Sequence, residues 1–224
     1  MKLEKVTKHR RSEEKRRYED ACGLAHAMEL LGERWAMLVL RELAYGPRRF
    51  SELKADLKGI SANVLSQRLA ELEARGLVRK SRLAPPASVQ VYEATEWGLE
   101  VVPLIASLGK WAARSPWHNP KLQMSHVSVM MSLQTLLSPA RAAGLRARIG
   151  FCFGETSYVA MLHDGTLDVE RGKVEDCDVT FSGAPSAVAA VIHGGAPLET
   201  ITIEGDMELA RRFITLFPLP PKAH

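Results

Sequence analysis

Pro47-Arg48-Arg49-Phe50-Ser51-Glu52-Leu53-Lys54-Ala55-Asp56-Leu57-Lys58-Gly59-Ile60-Ser61-Ala62-Asn63-Val64-Leu65-Ser66-Gln67-Arg68-Leu69 is the stretch on which the reading of this chain turns. Phe50, Leu53 and Leu57 recur at helical spacing and mark a helix of two turns. Gly59-Ile60 makes the turn that follows. Ser61 then opens a second helix, because its hydroxyl can accept from the free backbone amides of the first turn. Over 61–75, Leu65, Leu69 and Leu72 share one face, while Asn63, Ser66, Gln67, Ala70 and Glu71 are turned away from it.

Working outward, Leu77–Leu83 and Val89–Ala94 are rich in Val, Leu and Tyr and read as a hairpin. Its tip is Ala84-Pro85-Pro86-Ala87-Ser88, which extends neither strand. Thr95 can cap a helix running through Val101, Leu104, Ile105, Leu108 and Trp111, until Ser115-Pro116-Trp117-His118-Asn119-Pro120 breaks it. On the other side, Leu24 to Leu43 is helical with an interruption at Gly32, and Gly46-Pro47 ends it. Helices, turn, helix and ribbon in this order make a winged helix-turn-helix domain over 21–114.

Such a domain offers the polar face of the 61–75 helix to a duplex major groove, where only donors and acceptors tell base pairs apart. Asn63, Ser66, Gln67 and Arg68 supply these, and the amides near Ser61 favour a phosphate oxygen. Arg48, Arg49, Lys80 and Arg82 are placed to neutralise flanking phosphates. Any surface helix carries Asn, Gln and Arg; cap, turn, polar face and ribbon in sequence are what favour DNA.

The chain has 224 residues and a net charge of +4, enough for two small domains. The positive excess lies in residues 1–120, so a polyanion is expected to meet the front of the molecule. Residues 1–20 read as a charged arm, either touching DNA or serving as a solubilising tail. The charged N-terminus and the lack of any run of 18 apolar residues exclude a secretory signal or a membrane span, so a cytoplasmic protein is expected. Cys22, Cys152 and Cys177 are an odd set without a C-x-x-C pair, which argues against a disulfide framework or a zinc site. The seven histidines are scattered and no H-E-x-x-H, G-x-S-x-G or phosphate-binding glycine loop occurs. His163-Asp164 is explained by a turn, and Asp178 would raise the pKa of its neighbour Cys177. No enzyme, metal or cofactor is expected.

The segment 115–120 is the expected linker to a second, α+β domain over 121–218. Leu122 to Leu137 is a Met-rich helix, and Leu145 to Phe153 alternates with period two. Shorter alternations follow at Leu167/Val169, Val179/Phe181 and Ile201/Ile203, with helices at Pro185–His193 and Met207–Phe217. The fold class is therefore α+β, a winged helix-turn-helix followed by a sheet-and-helix domain.

Cys22-Gly23-Leu24, Leu30-Leu31-Gly32-Glu33-Arg34-Trp35, Leu40-Arg41-Glu42-Leu43, Gly46 to Leu53, Gly59-Ile60-Ser61, Val64 to Leu69, Leu72-Glu73 and Gly76-Leu77-Val78 together resemble the HxlR-type winged-helix transcriptional regulators over about residues 20–113. The resemblance implies a homodimer on a palindromic operator, with the first and last helices of the domain at the interface. Leu104, Leu108 and Trp111 form a stripe suited to that interface, or to packing on their own domain. Cys22 matches the cysteine some relatives use to sense oxidants or electrophiles; such chemistry needs an exposed thiolate near positive charge, with Arg16 and Arg17 as candidates, and a buried inert thiol is the other reading. The wing lacks the basic tip that others extend into the minor groove.

From Leu145 to Phe217, His163-Asp164-Gly165-Thr166-Leu167, Val169-Glu170-Arg171-Gly172, Asp178-Val179-Thr180-Phe181 and Ile203-Glu204-Gly205-Asp206 resemble a sterol-carrier-protein-type domain. The resemblance implies a curved sheet under helices, able to enclose an apolar ligand. Met130, Met131, Phe151, Phe153, Met161, Phe181 and Phe213 are the candidate pocket residues, or simply core. A regulator with an apolar effector is the first reading; a lipid carrier using its winged helix to bind protein is the rival.

Overall fold

A computed structural model describes residues 18–83 and 88–223. The arm up to residue 17, with Arg16 and Arg17, and the wing tip at 84–87 lie outside the described residues. Near the N-terminus, Gly23–Leu31 (α1) precedes Ala36–Glu42 (α2), whose Ala36, Val39 and Leu40 are fully buried while Leu38 remains exposed despite the all-round apolar sequence. Phe50–Asp56 (α3) and Ala62–Ala74 (α4) follow, joined by the expected turn. Gly59 takes φ +86°, a left-handed conformation that glycine adopts without strain. Leu40, Leu43, Leu53, Leu57, Ile60, Leu65, Leu69, Leu72 and Leu77 close one core, each burial contributing about 1.5–3 kcal/mol.

Val78–Arg82 (β1) and Gln90–Ala94 (β2) pair antiparallel as the wing. Thr95 caps the next helix by accepting from the Gly98 amide at 3.0 Å and donates to the Gly76 carbonyl at 2.7 Å. Gly98 lies against the Leu77 carbonyl with no room for a Cβ, which seats the helix on the root of the wing. The single helix expected here is two, Glu96–Glu100 (α5) and Val102–Ala112 (α6). Pro103 lies in the first turn of α6, where its missing N–H ends one hydrogen-bond ladder and starts another.

The C-terminal half is a mixed sheet covered by helices on one face. Its elements are His126–Leu136 (α7), Pro139–Ala142 (α8), Ala147–Phe153 (β3), Thr156–His163 (β4), Thr166–Arg171 (β5), Val179–Ser182 (β6), Pro185–Gly194 (α9), Thr202–Gly205 (β7) and Met207–Ile214 (α10). Strand order is β5-β4-β3-β6-β7, with β3 and β6 parallel and the other pairs antiparallel. The alternation at 145–153 puts Ala147, Ile149, Phe151 and Phe153 on the helix-covered face. Of strand β4 the sequence showed only the turn at His163-Asp164 that ends it: Tyr158-Val159-Ala160-Met161-Leu162 is continuously apolar, its outward Val159 and Met161 included, so period two is muted.

The pocket candidates separate. Met130, Phe151, Phe153, Phe181 and Phe213 are buried together, with Phe151–Phe181 and Phe181–Phe213 ring centroids 5.5 and 5.6 Å apart, so they fill the space between sheet and helices. Met131 instead packs into the helix-turn-helix core, because α7 turns that side toward α2 and α6. Met161 is 37% exposed on the outer sheet face, its sulfur 3.6 Å from Arg148, since odd-numbered residues of β4 point away from the helices. The expectation of a common pocket is corrected for these two.

The two cores also trade residues, for Tyr45 of the first half packs on the second core. The chain then returns to the first half at its end. Lys222 donates to the Ala113 and Ser115 carbonyls at 3.0 Å, the Ala223 amide donates to the Arg114 carbonyl at 2.8 Å, and Arg114 donates to the Pro221 carbonyl. A lysine at the end of α6 complements the partial negative charge there.

Candidate nucleic-acid interface

Helix α4 is positioned by the cap that the sequence announced. Ser61 Oγ accepts from the Val64 amide at 3.2 Å, and Leu65, Leu69 and Leu72 anchor the inner face. Ser61, Ala62, Asn63, Ser66, Gln67 and Ala70 are exposed, and the C-terminal half leaves them uncovered. Asn63 and Ser66 carry no side-chain hydrogen bond among the described residues, whereas Gln67 donates to Glu71 at 3.0 Å.

Two arginines expected at DNA are internal. Arg68 is 5% exposed, pairing with Glu71 and, at 3.3 Å, with Glu33. Its position follows from the helix period, since 65, 68, 69 and 72 form one stripe. Arg48 is 4% exposed and ringed by carboxylates: Asp56 at 2.5 Å, Glu52 at 3.3 Å and Glu42 at 3.9 Å. Its backbone exchanges two 2.8 Å hydrogen bonds with Tyr92 of the wing. Both charges are committed inside the protein, so neither is offered to a phosphate.

Lys80 remains on the surface, bonded to Glu73 at 2.8 Å and 5.9 Å from the Tyr92 ring centroid. Arg49 and Arg82 are exposed without an ion-pair partner among the described residues. Sequence reasoning passed over Lys54 and Lys58. With Phe50, Ser51, Ala55 and Gly59 they line an open surface concavity of about 540 Å³ beside the turn into α4. Their spacing of four, from α3 into the turn that follows it, was the available signal.

Asp56 closes α3 at the domain junction. Burial would raise its pKa, but hydrogen bonds and charge from His126 and Arg48 outweigh this and hold it at about 2 rather than the usual 3.8. A carboxylate whose folded pKa is depressed contributes stability that is complete above its unfolded pKa and disappears as pH falls through the folded one. With solvent screening of this half-buried group, we expect on the order of 1 kcal/mol to be lost as pH falls from roughly 4 toward 2. Urea denaturation along that range should show it, and in Asp56→Asn this part of the acid loss should be missing.

The assembly of cap, exposed polar face, turn and wing matches a family model, HxlR-like helix-turn-helix, over residues 30–120. YvaP of Bacillus subtilis, an HTH-type transcriptional regulator, is 37% identical over 95 residues, covering 42% of this chain and 85% of its own length. This chain belongs to the HxlR-like helix-turn-helix family. YkvN of the same organism, also an HTH-type regulator, is 41% identical over 41% of this chain and 77% of its own. The regulator YodB of B. subtilis is 34% identical, and its reduced-form structure covers 44% of this chain and 97% of its own at a TM-score of 0.39. The HxlR-like chain described here is thus a DNA-binding transcriptional regulator and not an enzyme.

In this HxlR-like protein the stripe on α6 does not pack on its own domain. Leu104, Leu108 and Trp111 are 61%, 48% and 71% exposed, and Leu24 and Met28 of α1 are exposed as well. Cys22 is exposed rather than buried. It stands where α1 begins, and the backbone N–H groups of Leu24 and Ala25 lower its thiol pKa. Cys177, by contrast, is raised by burial. Among the described residues no group of three His, Cys, Asp or Glu side chains could hold a metal, and no helix is long and apolar enough to cross a membrane.

Proposed function

We propose that this HxlR-like regulator acts as a homodimer that inserts α4 of each protomer into successive major grooves of a palindromic operator. The observation that carries the reading is the open face of Ser61, Asn63, Ser66 and Gln67, capped, rigidly backed and free of the C-terminal half. Asn63 and Ser66 read base edges, with Gln67 doing so once released from Glu71. Phosphate contacts come from Arg49, Lys54, Lys58, Lys80 and Arg82, while Arg48 and Arg68 hold the reading helix in place from within. The exposed apolar faces of α1 and α6, with Leu104, Leu108 and Trp111 at the centre, are the pairing surface. Residues 21–114 serve as the DNA-binding domain, 115–120 as linker and 121–218 as a sterol-carrier-like domain, a reading supported by its one-sided five-stranded sheet. An apolar effector in that domain would have to part the closely packed Phe151, Phe181 and Phe213 rings. Cys22, exposed and lowered in pKa, is the thiol at which an oxidant or electrophile would act.

The test is binding to operator fragments selected from genomic DNA by the purified protein. Asn63→Ala should cost about 1–3 kcal/mol on the selected site and relax base preference, with random duplex barely changed. Equal loss on both duplexes removes Asn63 from base reading, and retention of no duplex by the intact protein removes the proposal.

A further inference from the structure

The junction between the two halves is polar where an apolar contact would suffice. Met131, Ile105 and their neighbours already dock α7 on the helix-turn-helix core. Yet His126, the first residue of α7, is buried with both ring nitrogens engaged: one lies 3.2 Å from Asp56 Oδ2 and the other 2.6 Å from the Tyr158 hydroxyl. Beside it Ser125 donates to Glu42 at 2.8 Å, and Tyr45 donates to Gln134 of α7. Burying ionisable groups at a junction costs free energy unless their geometry is specific, so such a cluster defines one arrangement of the halves rather than adding adhesion.

An ionised Asp56 only accepts: its Oδ2 takes an N–H bond from Arg48, and His126 Nε2 lies in ion-pair contact with the same oxygen at 3.2 Å. On the other side of the ring, Nδ1 shares a hydrogen bond with the Tyr158 hydroxyl at 2.6 Å. Burial raises the Tyr158 pKa, which keeps the phenolic proton on oxygen. This chain of polar contacts runs from β4 of the C-terminal sheet to the last residue of α3. From there only Leu57 to Ile60 separate Asp56 from the cap of α4, and Leu57 and Ile60 are both buried, so this turn has little freedom to absorb a shift.

We propose that the C-terminal domain sets the pose of the reading helix through a Tyr158–His126–Asp56 relay, so that whatever moves β4 retunes base recognition by α4. This rests on α4 being the helix that reads DNA. His126 and Tyr158 are positioning residues, remote from DNA and acting through Asp56. Arg48, Glu42, Glu52, Arg41 and Tyr45 complete the charged and titratable surroundings.

The experiment uses the full chain and the variants Tyr158→Phe, His126→Ala and His126→Gln. Tyr158→Phe keeps the core ring and deletes only the hydroxyl, while Gln at 126 retains one donor and one acceptor. Amide hydrogen exchange over 57–65 should accelerate about tenfold in Tyr158→Phe and His126→Ala, with 185–194 unchanged. The ratio of selected-operator to random-duplex affinity should fall about tenfold, within the usual range of coupling between sites. The double variant should do no worse than His126→Ala, and His126→Gln should recover most of the ratio. Unchanged exchange at 57–65, or equal losses on operator and random duplex, would overturn the relay. If the intact protein retains no duplex, the DNA reading fails and the exchange measurement alone decides whether the two halves are coupled.

Discussion

Replacing Arg48 by Ala is expected to cost about 3–5 kcal/mol of stability while leaving the salt dependence of duplex binding by the folded protein unchanged. The guanidinium is the shared partner of Asp56, Glu52 and Glu42, and Glu42 is itself wholly enclosed. Burial alone would lower the Arg48 pKa; its carboxylate partners reverse that and raise it. Removing it strands like charges in a setting with little water, which is why deletion of one member of a buried pair is far more damaging than the pair is stabilising. Urea denaturation followed by tryptophan fluorescence measures the loss. Arg49→Ala, one residue away and exposed, provides the contrast and should stay within about 0.5 kcal/mol of the parent. If Arg48→Ala unfolds like the parent and binds duplex with a shallower salt slope, Arg48 is a phosphate ligand after all.

The combined variant Arg49→Ala, Lys54→Ala, Lys58→Ala should weaken binding to every duplex alike, by on the order of 100-fold per protomer near physiological salt. Each phosphate neutralised on B-DNA contributes about −0.9 to the slope of log affinity against log salt, so that slope should become shallower by about 3 per protomer. The three side chains lie along α3 and the turn leading into α4, without ion-pair partners among the described residues, so their removal leaves no buried charge behind. Stability should accordingly change little. A salt slope equal to that of the parent would place the duplex on another face of the domain.

Much of the architecture was legible because it is local. Ser61 and Thr95 cap helices through amides three residues away, Gly59 turns the chain by its own conformational freedom, and the 145–153 alternation depends only on strand parity. What misled was charge. Arginine is read as exposed by default, and Arg68 finds Glu33 from 35 positions away, a partner that no local pattern announces. Its place in the 65-68-69-72 stripe did mark it as internal, and Glu52 and Asp56, one turn apart on α3, were the local signal of a shared cation at Arg48 just before that helix. Strand β4 was missed because its outward-facing Val159 and Met161 are apolar like their inward neighbours, so no polar alternation marks it, and Tyr158 was missed with it.

By itself the sequence determined the helix-turn-helix, its wing, the exposed polar face of α4 and the mixed character of the second half, all set by contacts within a turn or by side-chain parity. Only the tertiary structure decided which cations face solvent, that the methionine and phenylalanine candidates are largely packed core, and that His126 ties the sheet to Asp56. Those outcomes depend on pairings across 35 to 70 residues, where the free energy of burying a charge is settled by whichever partner the fold brings to it.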